Sequence, residues 1–176
     1  MQKSRSNRQP RALDPSTLQA LAVRYVGRYA TTRAKLTAYL KCKVAERGWA
    51  GEGAPPVEAV VLRCVDAGYV DDQAFADAKS RSLARQGYGF KRVEAALNQS
   101  GIARELMAAL QPDEDAAFES ARIFARKRRI GQFAIQPADQ ALLHRQFAAM
   151  IRAGHSPQIA GYFVRSVPDT DADLQN

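Results

Sequence analysis

The chain has 176 residues, of which 46% are apolar and 25% charged, within the ordinary range for a soluble globular protein. Lys and Arg number 26 against 18 Asp and Glu, a formal net charge of +8, and this cationic excess suits an anionic partner: nucleic acid, an acidic protein face or a membrane surface. Cys42 and Cys64 form no CxxC and lie far from His144 and His155, which speaks against a disulfide framework or a zinc site and for two buried, reduced thiols in a cytoplasmic protein. No apolar run approaches the ~18–20 residues that span a bilayer.

Ala is abundant, and runs of alternating Val, Ile and Thr are missing, a balance that favours helix. The opening "MQKSRSNRQPRAL" has basic residues with no apolar segment after them. It reads as a disordered basic arm over residues 1–13 rather than a signal peptide. Asp14 and Pro15 then supply a cap and a first-turn proline, and Leu18, Leu21, Ala22, Tyr25 and Val26 form one apolar stripe. A second helix starts at a Thr cap, turns Leu36, Leu40 and Val44 inward, and stops at Gly48. "GEGAPP" is a loop, and a third helix ends at Gly68.

The same grammar returns twice. A helix from Asp71 to Gln86 stops at Gly87; Phe90–Ser100 follows, with Val93 and Leu97 inward, and stops at Gly101. Ala103–Leu110 is a short third helix with Leu106 and Leu110 inward. The last set is "DEDAAFESARIFARKRRIG", "PADQALLHRQFAAMIRAG" and "SPQIAGYFVRSV", the final helix opening on Ser156 and Pro157. The second helix of each set ends at Gly48, Gly101 and Gly154, which are evenly spaced. These signals predict an all-α protein of three tandem three-helix repeats, residues 14–70, 71–112 and 113–167, with an acidic tail over 168–176. Repeats of this kind stack into an elongated, curved body whose concave face suits a filament or polymer.

No catalytic constellation emerges. Asp71 and Asp72 have no third acid close in sequence and are explained as a cap and a favourable charge at a helix start. Gly87–Gly89, "GYG", has no preceding strand and lacks GxxxxGK[ST] and GxGxxG, so it reads as a turn, with a backbone approach to phosphate left open. Ser156 beside His155 is a helix cap with no third partner, and His144 is taken as a partly buried structural residue. The candidate binding residues are basic. Lys79, Arg81, Arg85, Lys91 and Arg92 form an acid-free run, and Arg126, Lys127, Arg128 and Arg129 form a denser one. Four successive helical residues point to all sides, so at most two of the latter face one partner.

"GYVDDQAFADAKSRS" and "GYGFKRVEAALNQSGI" resemble the RecX family of RecA regulators, and "ALAVRYVGRYATTRAKLTAYL" is similar to that family's first repeat, with Tyr25, Thr32, Leu36 and Leu40 in register. The likeness runs from about Leu21 to Leu110. This chain departs from the pattern at Lys35, Lys79 and Leu83 and in a longer Trp49–Pro56 loop. The resemblance implies tandem three-helix repeats, no catalytic activity and no cofactor. It implies a partner in the RecA–single-stranded-DNA filament, bound along its groove, with restraint of strand exchange, ATP hydrolysis and coprotease function. It also points to Arg81, Lys91 and Arg92 as contact positions. A direct DNA contact is an added expectation; a membrane or small-molecule substrate is not expected. The alternatives are a nucleic-acid-binding protein acting without RecA and a scaffold that binds only proteins, with an enzyme third.

Overall fold

The computed structural model describes residues 11–168; residues 1–10 of the expected basic arm and 169–176 of the expected acidic tail lie outside the described residues. Nine α-helices follow one another in threes among the described residues, with no β-strand. The first set is α1 (Pro15–Val26), α2 (Arg33–Arg47) and α3 (Val57–Asp66). The second is α4 (Asp72–Arg85), α5 (Phe90–Gln99) and α6 (Arg104–Ala108). The third is α7 (Glu114–Arg128), α8 (Gln140–Arg152) and α9 (Pro157–Arg165), with a single 3-10 turn at Gly131–Phe133 that the sequence patterns did not announce. The all-α architecture of three-helix repeats read from the sequence is present. By packing, the chain forms two units, up to Phe75 and from Ala76 onward.

In the first unit the expected caps form. The Asp14 carboxylate accepts from Thr17 N–H at 2.8 Å, and the Thr32 hydroxyl accepts from Lys35 N–H at 3.2 Å. Each satisfies an N–H that the helix itself leaves unpaired. With their ends fixed, α1, α2 and α3 pack mutually around Leu18, Ala22, Leu36, Leu40, Val60 and Cys64. Leu13, expected to end the basic arm, belongs to this core: it is fully buried. Its N–H donates to Gly48 O at 2.9 Å and its carbonyl accepts from Ala50 N–H at 2.8 Å, an isolated parallel bridge to Trp49. The basic segment gives no warning of this, because one leucine carries no periodicity. Cys42 corrects another expectation. It is exposed, and its thiol donates to the Glu46 carboxylate at 3.2 Å; Cys64 is the buried one.

In the second unit α7, α8 and α9 pack around Phe124, Ile130, Met150, Ala160 and Phe163. Val93 and Leu97 are buried as expected, and Ile102 is buried with them. The short α6 is rotated by about one residue from its expected face: Met107 is buried, whereas Leu106 and Leu110 are only partly so. A five-residue helix is too short for its stripe to fix its own rotation. His144 is exposed on α8, where its ring meets the Gln140 side-chain amide at 3.1 Å; the neighbouring Leu142, Leu143 and Phe147 do not enclose it.

Candidate functional site: an arginine-lined groove beside the Gly87–Gly89 turn

The acidic pair at the start of α4 is occupied by helix ends. Asp71 accepts from Ala74 N–H at 2.9 Å and caps its own helix. Asp72 accepts from Arg33 N–H, also at 2.9 Å, and so serves the first turn of α2. Both carboxylates are spent on otherwise orphaned backbone donors. Among the described residues, no group of three or more His, Cys, Asp or Glu side chains is placed to hold a metal.

The Gly87–Gly89 turn is a docking point between the α4–α5 and α8–α9 connections. Gly89 N–H donates to Ala153 O at 2.9 Å, and Lys91 N–H to Gly154 O at 3.3 Å. The two backbones lie so close that a Cβ on Gly89 would sit 2.3 Å from Gly154 O. A Cβ on Gly154, whose φ is +96°, would sit 2.5 Å from Arg92 N. Only glycine fits that approach and that left-handed conformation. The N–H groups of Gly87, Tyr88, Gly89, Lys91 and Arg92 all donate within the protein, which closes the reading of this turn as a backbone phosphate loop. His155 completes the junction from beneath. It is 3% exposed, and its Nε2 lies 3.0 Å from Gly87 O. A carbonyl only accepts, so Nε2 carries the hydrogen. Burial pushes the imidazole below its ordinary 6.5, with the Gly87 hydrogen bond opposing, and keeps it neutral near pH 7.

This junction places Tyr88 and Arg92 at the mouth of an open groove of about 560 Å³. Four arginines line it from three helices: Arg92 of α5, Arg128 of α7, and Arg145 and Arg152 of α8. Arg145 and Arg152 are seven residues apart and so share a helix face. The Arg92 guanidinium lies 5.8 Å from the Tyr88 ring centre, and that of Arg128 lies 5.8 Å from the Phe124 ring centre. Aromatic faces thus hold the two cations in place. Among the described residues, no carboxylate lines the groove. Among the described residues the ion pairs are Lys41–Glu58, Lys43–Glu46 and Arg122–Glu119, so none of the four groove arginines is neutralised. The Gln146 side-chain oxygen, on the same wall, is buried without a hydrogen-bond partner. Chemically such a lining suits anionic oxygens, because guanidinium forks match carboxylate and phosphate.

The other sequence-predicted residues distribute differently. Arg81 and Arg85 are exposed on α4 and do not line the groove. Lys91 turns into a smaller neighbouring hollow of about 250 Å³ beside Phe90, Gln111 and Ser156. Arg126 lies over the Phe133 ring at 5.2 Å. Lys127 donates to Gln86 O at 3.1 Å, tying α7 to the end of α4. Arg129 ends α7 in the left-handed conformation, φ 53° and ψ 53°. Of the four-residue basic run, only Arg128 enters the groove. Sequence reasoning missed Arg145 and Arg152, whose only signal was their seven-residue spacing.

Helices in threes define an all-α repeat protein, and its second unit carries an open, cation-lined groove. A family model described as "RecX, second three-helix domain" matches residues 71–110. The regulatory protein RecX of Myxococcus xanthus (strain DK1622) is 34% identical over 175 residues, 94% of this chain and 94% of that protein. That of Mycobacterium sp. (strain KMS) is 32% identical over 142 residues, 77% and 75% of the two chains. The RecX of Escherichia coli O1:K1 / APEC is 44% identical over a shorter stretch, 27% and 29% of the two. This chain belongs to the RecX family of regulatory proteins.

Proposed function

We propose that this protein binds the RecA–single-stranded-DNA filament in the cytoplasm. By that contact it lowers strand exchange, ATP hydrolysis and coprotease activity, with no cofactor and no reaction of its own. One observation carries the reading. Arg92, Arg128, Arg145 and Arg152 line one groove with Tyr88, without an ion pair among the described residues, and Arg92 lies within the stretch that the family model matches. A protein filament on DNA offers phosphates and acidic side chains in a repeating array, and guanidinium groups engage both. We assign the contact first to these four arginines, with Arg81, Arg85 and Lys91 as outlying charges. Arg126, Lys127 and Arg129 serve mainly their own stacking, tethering and capping contacts.

The test is a titration of RecA ATPase on single-stranded DNA. The expected result is suppression at amounts of this protein well below that of RecA. Equal binding to bare DNA with the ATPase untouched would instead support a nucleic-acid-binding protein that acts without RecA.

A further inference from the structure

The first unit carries a cleft that the filament reading does not use. It is about 550 Å³ in volume and is lined by Tyr25, Tyr29 and Tyr39 together with Arg24, Arg28 and Lys43. Tyr25 and Tyr39 stack on each other, 4.2 Å between centres and 21° between planes, and this fixes the floor. Tyr29 leans on Tyr25 at 5.3 Å, held by a turn in which its N–H donates to Tyr25 O at 3.1 Å. The residue is nonetheless 56% exposed: it is anchored on one side and open on the other.

Ring faces alone would attract a cation. Here the rim is cationic, with no carboxylate lining it among the described residues. Lys43 is paired with Glu46 at 2.6 Å and leans over Tyr39 at 5.7 Å; Arg24 and Arg28 have no ion pair among the described residues. A cationic ligand is therefore repelled. An acidic peptide would satisfy the arginines but leave the exposed ring idle. A duplex keeps its bases stacked and out of reach. The ligand that uses both features is an unpaired nucleobase with phosphates on either side.

We infer that the α1–α2 cleft is a base-stacking site for single-stranded nucleic acid, with Tyr29 as the platform and Arg24 and Arg28 as phosphate contacts. It is separate from the arginine groove and does not depend on RecA.

The experiment measures binding of the full chain to a labelled oligo-dT of about 20 nucleotides and to an abasic strand of the same length. Tyr29→Ala weakens oligo-dT binding on the order of tenfold or more, Tyr29→Phe binds like the parent, and the Tyr29→Ala defect vanishes on the abasic strand. Arg28→Ala, at an exposed position, lowers the slope of log affinity against log salt by about 0.7. Parent-like oligo-dT binding by Tyr29→Ala would overturn the inference, as would an equal loss on both strands. Loss of RecA inhibition with oligo-dT binding intact would also overturn it, by making the cleft a protein contact.

Discussion

The two units each carry an open cleft of nearly the same volume, about 550 Å³ in the first and 560 Å³ in the second, and the two are equipped in opposite ways. The first is lined by three tyrosines, with Tyr25 in contact with both Tyr29 and Tyr39, and one of its three cations is paired with a carboxylate. The second has one tyrosine and four arginines, none of them ion-paired among the described residues. The difference teaches what each surface asks of a ligand. Rings with few free charges reward a flat face, whereas clustered bare cations reward multiple negative charge. The supports differ too. The tyrosines pack through Tyr25, whereas Arg92 stands at a backbone junction between two turns.

The sharpest way to break that comparison is to pry the junction open. Gly154→Ala places a methyl 2.5 Å from Arg92 N in a backbone of φ +96°. It should cost ~2–4 kcal/mol, read as a lower urea midpoint by circular dichroism. A midpoint unchanged from the parent would mean that the turns are not held together as described. Next in size is a test of focused against scattered charge. Arg145→Ala with Arg152→Ala should elute from heparin at markedly lower salt than Arg81→Ala with Arg85→Ala, although both pairs remove the same formal charge. Equal elution would mean that total charge, not the groove, governs polyanion binding.

A gentler probe uses pH. Burial holds the folded His155 below 6.5, so the unfolded chain takes up a proton that the folded chain refuses. Stability is then fully present above about pH 6.5 and falls as pH drops from there toward the folded pKa. His155→Gln, which keeps an N–H donor for Gly87 O, should flatten that decline in unfolding experiments between about pH 7 and 5. The smallest effect is expected at Arg129. It is the one non-glycine residue with positive φ among the described residues, and Arg129→Gly should raise stability by roughly 1 kcal/mol or less by relieving the left-handed cap.

The sequence reveals features whose physics is local. Asp14, Thr32 and Ser156 act as caps because a short side chain before a helix start accepts from a nearby N–H, whatever lies elsewhere in the fold. Gly154 is legible as a helix stop for the same reason. Its second role, against Gly89, is not, since that contact joins residues far apart in the chain. The arginine groove is half legible. Arg92 and Arg128 stand in visible basic runs, but Arg145 and Arg152 are single charges in an otherwise apolar and polar helix. Packing alone brings them into one groove with Tyr88. Leu13 and Cys42 mislead in the same way. A lone leucine after a basic arm is claimed by the core, and a cysteine inside a helical pattern faces out because its position lies off the apolar stripe.

The central claim is that the arginine groove, and not the basic surface at large, delivers regulation of RecA. The most direct measurement compares RecA ATPase inhibition by the parent chain with that by a variant in which Arg92, Arg128, Arg145 and Arg152 are all alanine. The Arg81→Ala, Arg85→Ala pair serves as control, and circular dichroism confirms the fold of each. The account predicts that the groove variant needs at least about tenfold more protein for the same inhibition, while the control stays close to the parent. Parent-like inhibition by the correctly folded groove variant would contradict it.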